Sequence, residues 1–170
     1  AIELPGKLLA MFAPGGPPVV VLRDRRMFHL HGTELAPWLT AAGRVRGLAR
    51  QGPEQYWLLT DSGGLYHVDG KVAVARAHAA AAMLKSATPY TMIALPGGGY
   101  AIGTLSGDIV RVNDDFSEYS VWPTGPAPVI GLAVDRENHL WAATEADIVR
   151  MSLSDAWSLI DRSHGLRGPV

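Results

Sequence analysis

Leu140-Trp141-Ala142-Ala143-Thr144 is echoed twice earlier in the chain, at Tyr100-Ala101-Ile102-Gly103-Thr104 and at Tyr56-Trp57-Leu58-Leu59-Thr60. Each is a short apolar run ending in threonine. Each is followed four or five residues later by a second apolar run: Ile148-Val149-Arg150, Ile109-Val110-Arg111 and Leu65-Tyr66-His67. The threonines stand 40 and 44 positions apart, the period of a supersecondary unit that buries its core only by stacking on copies of itself.

Paired helices and four-stranded propeller blades share that period, and the content of the units decides between them. Runs of Val, Ile, Leu, Tyr and Trp, four to six residues long, alternate with Gly/Pro/Asn/Asp clusters, which is strand and turn chemistry. In the last unit the strands are Val129 to Val134, His139 to Ala143, Ile148 to Met151 and Trp157 to Ile160, with Asp135-Arg136-Glu137-Asn138 as the first turn. Pro96-Gly97-Gly98-Gly99 and Gln51-Gly52-Pro53-Glu54 are the corresponding turns of the two units before it. A fainter first unit has strands at Leu8 to Phe12, Val19 to Leu22, Met27 to Leu30 and near Leu35 to Leu39. The expected fold is therefore all-β, a β-propeller segment of about four four-stranded blades belonging to a larger ring, with blades at 1–44, 45–89, 90–128 and 129–164. Residues 165–170 read as a lead-in to a further blade. Ala73 to Ala87 is rich in alanine with Met83, Leu84 and Lys85, all good helix formers, so a short helix is expected after a strand over Lys71 to Ala75.

The stretch from Val129 to Thr144 resembles the two-component regulator propeller repeat: an apolar strand, an Asp-rich turn, Asn138-His139-Leu140-Trp141, a small residue and Thr. The family's Gly-Leu-Tyr element is matched by Gly64-Leu65-Tyr66 and more loosely by Asp108-Ile109-Val110, and its Gly-Leu lead-in by His164-Gly165-Leu166. The resemblance is clear over residues 90–170, fair over 45–89 and poor before 45. It implies the extracytoplasmic or periplasmic ligand-sensing region of a bacterial membrane-bound signalling protein. The output, a histidine kinase or diguanylate cyclase, would lie outside this chain. The ligand implied is a small molecule, a saccharide among the candidates, or a protein region. Lyases of the virginiamycin B type carry similar Asn-x-Leu-Trp strands.

Composition excludes several classes. The 170 residues carry 15 basic and 16 acidic side chains, a formal charge of −1, and no long basic stripe, so nothing supports a nucleic-acid partner. Arg23, Arg25 and Arg26 are the densest cationic group, but Asp24 interrupts them where a hairpin turn is expected. There is no cysteine, which removes disulfides and thiolate metal sites, and no apolar run spans a bilayer.

Catalytic chemistry is sparse. His29 and His31 alternate onto one strand face, yet a metal site needs a third ligand at suitable spacing, so both are expected to be surface or satisfied residues. His67, His78, His139 and His164 are scattered singly. Asp135, Glu137 and Asn138 lack the glycine and distant glutamate of a calcium loop and read as a turn, as does Asp114-Asp115. Gly97-Gly98-Gly99 lacks the helix and Lys-Ser/Thr of a phosphate loop. Ser62, Ser106, Ser154 and Ser163 lack a nucleophile elbow. No catalytic, cofactor or metal residue is assigned and the ligand-binding residues are unknown. The set for an enzyme of lyase or lactonase kind would be His139, Glu137 and Asp108. Trp57 and Trp141 are expected to fill spaces between blades, with sugar stacking as the functional alternative, and Trp38, Trp122 and Trp157 fall in outer strands or connections. A ring left open would expose a blade flank, which pairing of two copies or further blades would cover.

Overall fold

The computed structural model describes residues 2–153. Four antiparallel sheets follow one another along the chain, each a meander whose strands lie side by side in sequence order. The first contains β1 (Leu8–Phe12), β2 (Val19–Leu22), β3 (Arg26–His31) and β4 (Glu34–Thr40). The second contains β5 (Val45–Arg50), β6 (Gln55–Thr60), β7 (Leu65–Asp69) and β8 (Val72–Arg76). After a short helix α1 (Ala81–Ala87), the third is built from β9 (Pro89–Ala94), β10 (Tyr100–Thr104), β11 (Asp108–Val112) and β12 (Tyr119–Pro123). The fourth has β13 (Val129–Val134), β14 (His139–Thr144) and β15 (Ile148–Ser152). They are consecutive blades of a β-propeller. The expected fourth strand at Trp157 to Ile160 and the lead-in at 165–170 lie outside the described residues.

The repeated threonine has a physical job. Thr104 Oγ1 donates to the carbonyl of Asp108 at 2.9 Å and accepts from its N–H at 3.1 Å, closing the hairpin between β10 and β11. Thr60 does the same with Gly64, at 3.1 Å in both directions. Thr144 repeats it with Asp147, at 3.0 and 2.8 Å. Thr60 and Thr104 are buried, where a hydroxyl without partners would be costly. The first blade has Leu22 at this position, and Asp24 caps the turn instead by accepting the Arg26 N–H at 3.2 Å and pairing with its guanidinium at 2.8 Å. The Arg23–Arg26 group is thus a hairpin turn, with Arg25 at φ +74°.

Strand alternation sends one face of each blade to its predecessor and the other to its successor. Three cores result. Val19, Val21 and Met27 meet Tyr56, Leu58 and Val68 between the first two blades. Leu59 and Leu65 meet Tyr100, Ile102 and Phe116 between the second and third. Ala101 and Ile109 meet Leu140, Ala142 and Met151 between the third and fourth. Among the described residues no core joins the fourth blade to the first. The outer face of the first blade, Val20, Leu22 and Phe28, is instead packed with Leu4 from the segment preceding β1.

The alanine-rich segment splits as its composition suggests. Val72–Arg76 is an exposed edge strand, and Ala81–Ala87 is helix with Leu84 fully buried in the core of the second and third blades. Thr88 ends the helix at φ +55°.

Candidate functional site

In an antiparallel meander the turns between the second and third strands lie at one end of each blade, and the turns between first and second and between third and fourth lie at the other. The threonine-closed hairpins and α1 occupy the first end, as the backbone bonds from Leu105 N to Thr88 O and from Ser106 N to Ala87 O show. The Asp135 turn and the cleft beside His29 lie at the second.

Asp108 does not. It starts β11 beside the Thr104 hairpin, where its carboxylate accepts from Ser106 Oγ at 2.7 Å. His139 and Glu137 sit at the opposite end of their blade. The three side chains expected of a lyase or lactonase therefore do not converge on one pocket.

His139 and Glu137 do come together, and with them Asp135. Asp135 Oδ1 accepts from the N–H groups of Glu137 and His139, both at 2.9 Å, which confirms the turn, and Asn138 completes it at φ +60°. Asp135 Oδ2 accepts from Trp141 Nε1 at 2.8 Å. These bonds, led by that of the His139 N–H and then by the Trp141 indole, lower the Asp135 carboxyl to about 2. One ligand atom from each of Asp135, Glu137 and His139 falls within a 4.8 Å cluster. Arg150 already neutralises it. Its guanidinium donates to Glu137 Oε2 at 3.1 Å and to His139 Nδ1 at 2.9 Å, and stands 4.0 Å from Asp135 Oδ2. A cation entering there would meet a resident positive charge. The sequence reading missed Arg150, although antiparallel register places it opposite Trp141.

The larger feature is a cleft of about 460 Å³ between the first and second blades, within the range of small-molecule sites. Its floor is aromatic. His29, from β3, packs on Trp38 of β4 with ring centroids 4.4 Å apart, and Trp38 meets Tyr56 of β6 edge-on at 4.9 Å. His31 does share the strand face with His29, at 6.2 Å between centroids. Trp38 is fixed by donating its indole N–H to the carbonyl of Gly70 at 2.5 Å. The rim carries Glu54, Lys71 and Arg50. Arg50 is held by the carbonyls of Gly15, Gly52 and Pro53 at 2.8 to 2.9 Å, so it shapes the wall.

His29 departs from expectation. The residue is half-buried, and its Nδ1 is buried without a hydrogen-bond partner, so that atom is not satisfied. Burial, then the neighbouring His31, lowers its pKa, with Glu54 pulling the other way. The ring is consequently neutral at pH 7. Sequence reasoning named the two histidines but not Trp38, Tyr56, Glu54 or Lys71 as their neighbours. Nothing local signals that meeting, because it brings the outer strand of one blade against the turns of the next.

The remaining candidates resolve as turns or packing. Gly98 and Gly99 adopt φ of +95° and +73°, and the Gly99 N–H donates to Asp114 Oδ1 at 2.7 Å. Asp115 Oδ1 accepts from the Ser117 N–H at 3.0 Å. His78 Nε2 lies 2.9 Å from the Gly63 carbonyl, and His67 packs on Trp57. Ser62 and Ser106 sit beside the capping threonines at 3.1 and 3.0 Å. Trp57 fills a space between blades, its ring 5.3 Å from Phe116. Trp141 does not: it is 37% exposed, with no following blade against it among the described residues. His164, Ser154, Ser163 and Trp157 lie outside the described residues.

No protein-family profile matches the sequence, and no curated protein matches it. Solved structures do resemble it. Virginiamycin B lyase from Staphylococcus aureus superposes with a TM-score of 0.70 at 12% identity, over 92% of this chain and 57% of that one. The extracellular domain of a hybrid two-component system from B. thetaiotaomicron gives 0.63 at 13% identity, over 92% and 22%. YCF48 bound to D1 peptide gives 0.61 at 17%, over 97% and 56%. This chain is a β-propeller. It spans a little over half the length of the lyase and under a quarter of the two-component protein. At these identities the likeness establishes the fold and leaves activity to the site.

Proposed function

We propose that this propeller is a non-catalytic recognition module, the extracytoplasmic ligand-sensing region of a bacterial membrane-bound signalling protein of histidine kinase or diguanylate cyclase type. The ligand enters the cleft between the first two blades. The observation that carries this reading is the cleft itself: an aromatic floor of His29, Trp38 and Tyr56 beneath separate acidic and basic groups, Glu54 and Lys71. Such a site offers apolar contact to a ring and charged hydrogen-bond partners to its polar substituents. The ligand class is a small polar ring compound, a saccharide foremost, and a protein segment is the alternative occupant.

The likeness to a two-component extracellular domain supports the sensing role and the compartment. A lyase reading draws on the likeness to virginiamycin B lyase and on the meeting of His139 with Glu137. It requires Arg150 to leave both partners, and it loses Asp108 to the opposite end of the blade.

Calorimetric titration of a saccharide panel tests the proposal. Binding by wild type that Lys71→Ala and Glu54→Gln each weaken about tenfold, roughly 1.4 kcal/mol, supports it, since both side chains are exposed and their loss leaves the floor intact. Binding indifferent to both changes refutes the cleft. Turnover of a lactone, ester or uronate that disappears in His139→Ala or Glu137→Ala refutes the non-catalytic reading.

A further inference from the structure

We propose that the cavity beside the glycine turn of the third blade binds a free α-amino acid, holding its carboxylate on Arg111 and its ammonium group on Glu118 and Asp114. The cavity measures about 320 Å³, and its walls include Gly97, Arg111, Asp114, Glu118, Tyr119 and Ser120. It lies wholly on one blade, apart from the cleft, and its volume falls at the small end of the range for small-molecule sites.

The charged groups around it lack partners. By strand register Arg111 stands opposite Ser120, and the Asn113 N–H donates to the Glu118 carbonyl at 3.3 Å, so Glu118 comes one pair further along the same face. Diagonal cross-strand neighbours are roughly 7–8 Å apart, within reach of long side chains. These two nevertheless stay apart. Arg111 lies over the Trp122 ring, 5.8 Å from its centroid, and among the described residues neither its guanidinium nor the Glu118 carboxylate takes part in a hydrogen bond or an ion pair. Elsewhere on the surface opposite charges close up, Arg26 on Asp24 at 2.8 Å and Arg150 on Glu137 at 3.1 Å. Asp114 accepts from the Gly99 N–H at 2.7 Å through Oδ1, which leaves Oδ2 as a second acceptor.

That arrangement selects a ligand by charge. Two carboxylates oppose a simple anion, and the guanidinium opposes a bare cation. A molecule carrying both signs on neighbouring atoms satisfies all three groups, and an α-amino acid is the smallest common one. Arg111 presents a planar fork that matches a carboxylate. Tyr119, 45% exposed, offers the ligand's side chain an aromatic wall.

Gly97 supports occupancy independently. The backbone demands its two neighbours: Gly98 and Gly99 stand at φ +95° and +73°, and a Cβ on Gly99 would run into the Val112 carbonyl. Gly97 has a φ outside the left-handed region, and a Cβ there would meet nothing within 4 Å. Among the described residues it alone of the glycines combines these two properties, so the fold itself has no use for a glycine there. Its N–H has no partner among the described residues. Bare backbone at the lip of a cavity lets a ligand approach closely.

Amide-resolved NMR on the full 170-residue chain, titrated with each proteinogenic L-amino acid, is the test. At least one of them shifts the amides of Gly97, Arg111 and Glu118 and leaves those of His29 and Trp38 in place. Its carboxamide and its N-acetyl form, each lacking one charge, bind at least about tenfold more weakly, and Arg111→Gln and Glu118→Gln weaken the parent by a similar factor. Gly97→Leu weakens it too, while Gly97→Ala melts no lower than wild type. Lys85→Gln, which removes a cation on α1 at the opposite end of the blades, binds like wild type. No shift from any amino acid up to about 10 mM overturns the proposal. So does a blocked form that binds as tightly as its parent, which marks a peptide end as the ligand, or binding that Arg111→Gln and Glu118→Gln leave unchanged.

Discussion

Replacing Thr104 by valine isolates the chemistry of the repeated threonine, because the two side chains have nearly the same shape. The change removes one hydroxyl. It deletes the bond to the Asp108 carbonyl and leaves the Asp108 N–H without its acceptor. Ser106 Oγ keeps its bond to Asp108 Oδ2. Thr104 is fully buried, so water does not replace the lost partner. Stranding buried polar groups in this way costs about 1–3 kcal/mol. A domain of this size loses roughly 2–4 °C of melting temperature per kcal/mol, so Thr104→Val is expected to melt about 2–12 °C below wild type. Thr104→Ser keeps the oxygen and loses one buried methyl, about 0.8 kcal/mol, and should fall less. Thr144→Val should cost least of the three equivalent changes, because Thr144 is only half-buried. Thermal melts followed by far-ultraviolet circular dichroism, repeated in urea, give the ranking. A Thr104→Val protein that melts within a degree of wild type, or above Thr104→Ser, refutes the assignment of the motif to hairpin closure.

Other perturbations reach different parts of the structure. Phe116 is fully buried and stacks on Tyr100 at 5.2 Å, so Phe116→Ala should cost about 3–5 kcal/mol, measured by urea denaturation, and should alter the fluorescence of the neighbouring Trp57. Gly107 sits at φ +87° with the Gly125 carbonyl against the place of a Cβ, so Gly107→Ala should lose more than the roughly 1–3 kcal/mol of an ordinary left-handed residue, again by denaturation. Asp135 titrates at about 2 when folded against 3.8 unfolded, so its contribution is complete above pH 4 and is lost as pH falls toward 2; Asp135→Asn should flatten the melting profile over that window. His29 has a lowered pKa, so the unfolded chain takes up the proton first and stability declines as pH drops through 6.5; His29→Phe should reduce that decline in melts at pH 7.5 and 5.5.

The architecture was legible because the blades repeat the same strand chemistry, and a 40-residue echo survives weak strands. Even the break in the pattern was readable: alanine content located α1 within the Ala73–Ala87 stretch. Sites were harder. Alternation on one strand correctly paired His29 with His31, since that is a property of the strand alone. It could not say that Trp38 and Tyr56 lie beneath them, because Tyr56 comes from the next blade and that packing depends on how two sheets stack. The expectation for Trp57 and Trp141 separated for the same reason. Both occupy one position in the repeat, but among the described residues one has a following blade against it and the other does not. Likewise His139 and Glu137 are adjacent through a turn, which sequence shows, whereas Asp108 belongs to the opposite end of a neighbouring blade, which only the course of the meander reveals.

That division between the two ends of the blades explains why most of the distinctive chemistry gathers at one of them. At the threonine end the same hairpin is closed by the same oxygen in three blades, and removing that oxygen leaves the backbone groups it serves unpaired. At the other end the corresponding turns differ from blade to blade: Pro53 and Glu54 line the cleft, Pro96 to Gly99 makes a glycine turn over Asp114, and Asp135 to Asn138 gathers Trp141, His139 and Arg150. These turns are exposed and need only return the chain to the next strand, a demand that many sequences meet. Hairpin closure by a repeated oxygen is thereby assigned to one end, and variation between blades to the other. The cleft then needs no change to the repeat, only a turn from one blade laid against the outer strand of its neighbour. Exchanging Gln51–Glu54 for the Pro96–Gly99 turn should accordingly abolish cleft binding in calorimetry while the fold is kept, the melting temperature falling by no more than the loss of the bond from Gln51 to the Tyr100 hydroxyl accounts for; a variant that unfolds instead would place the main stabilising contacts at the end assigned here to recognition.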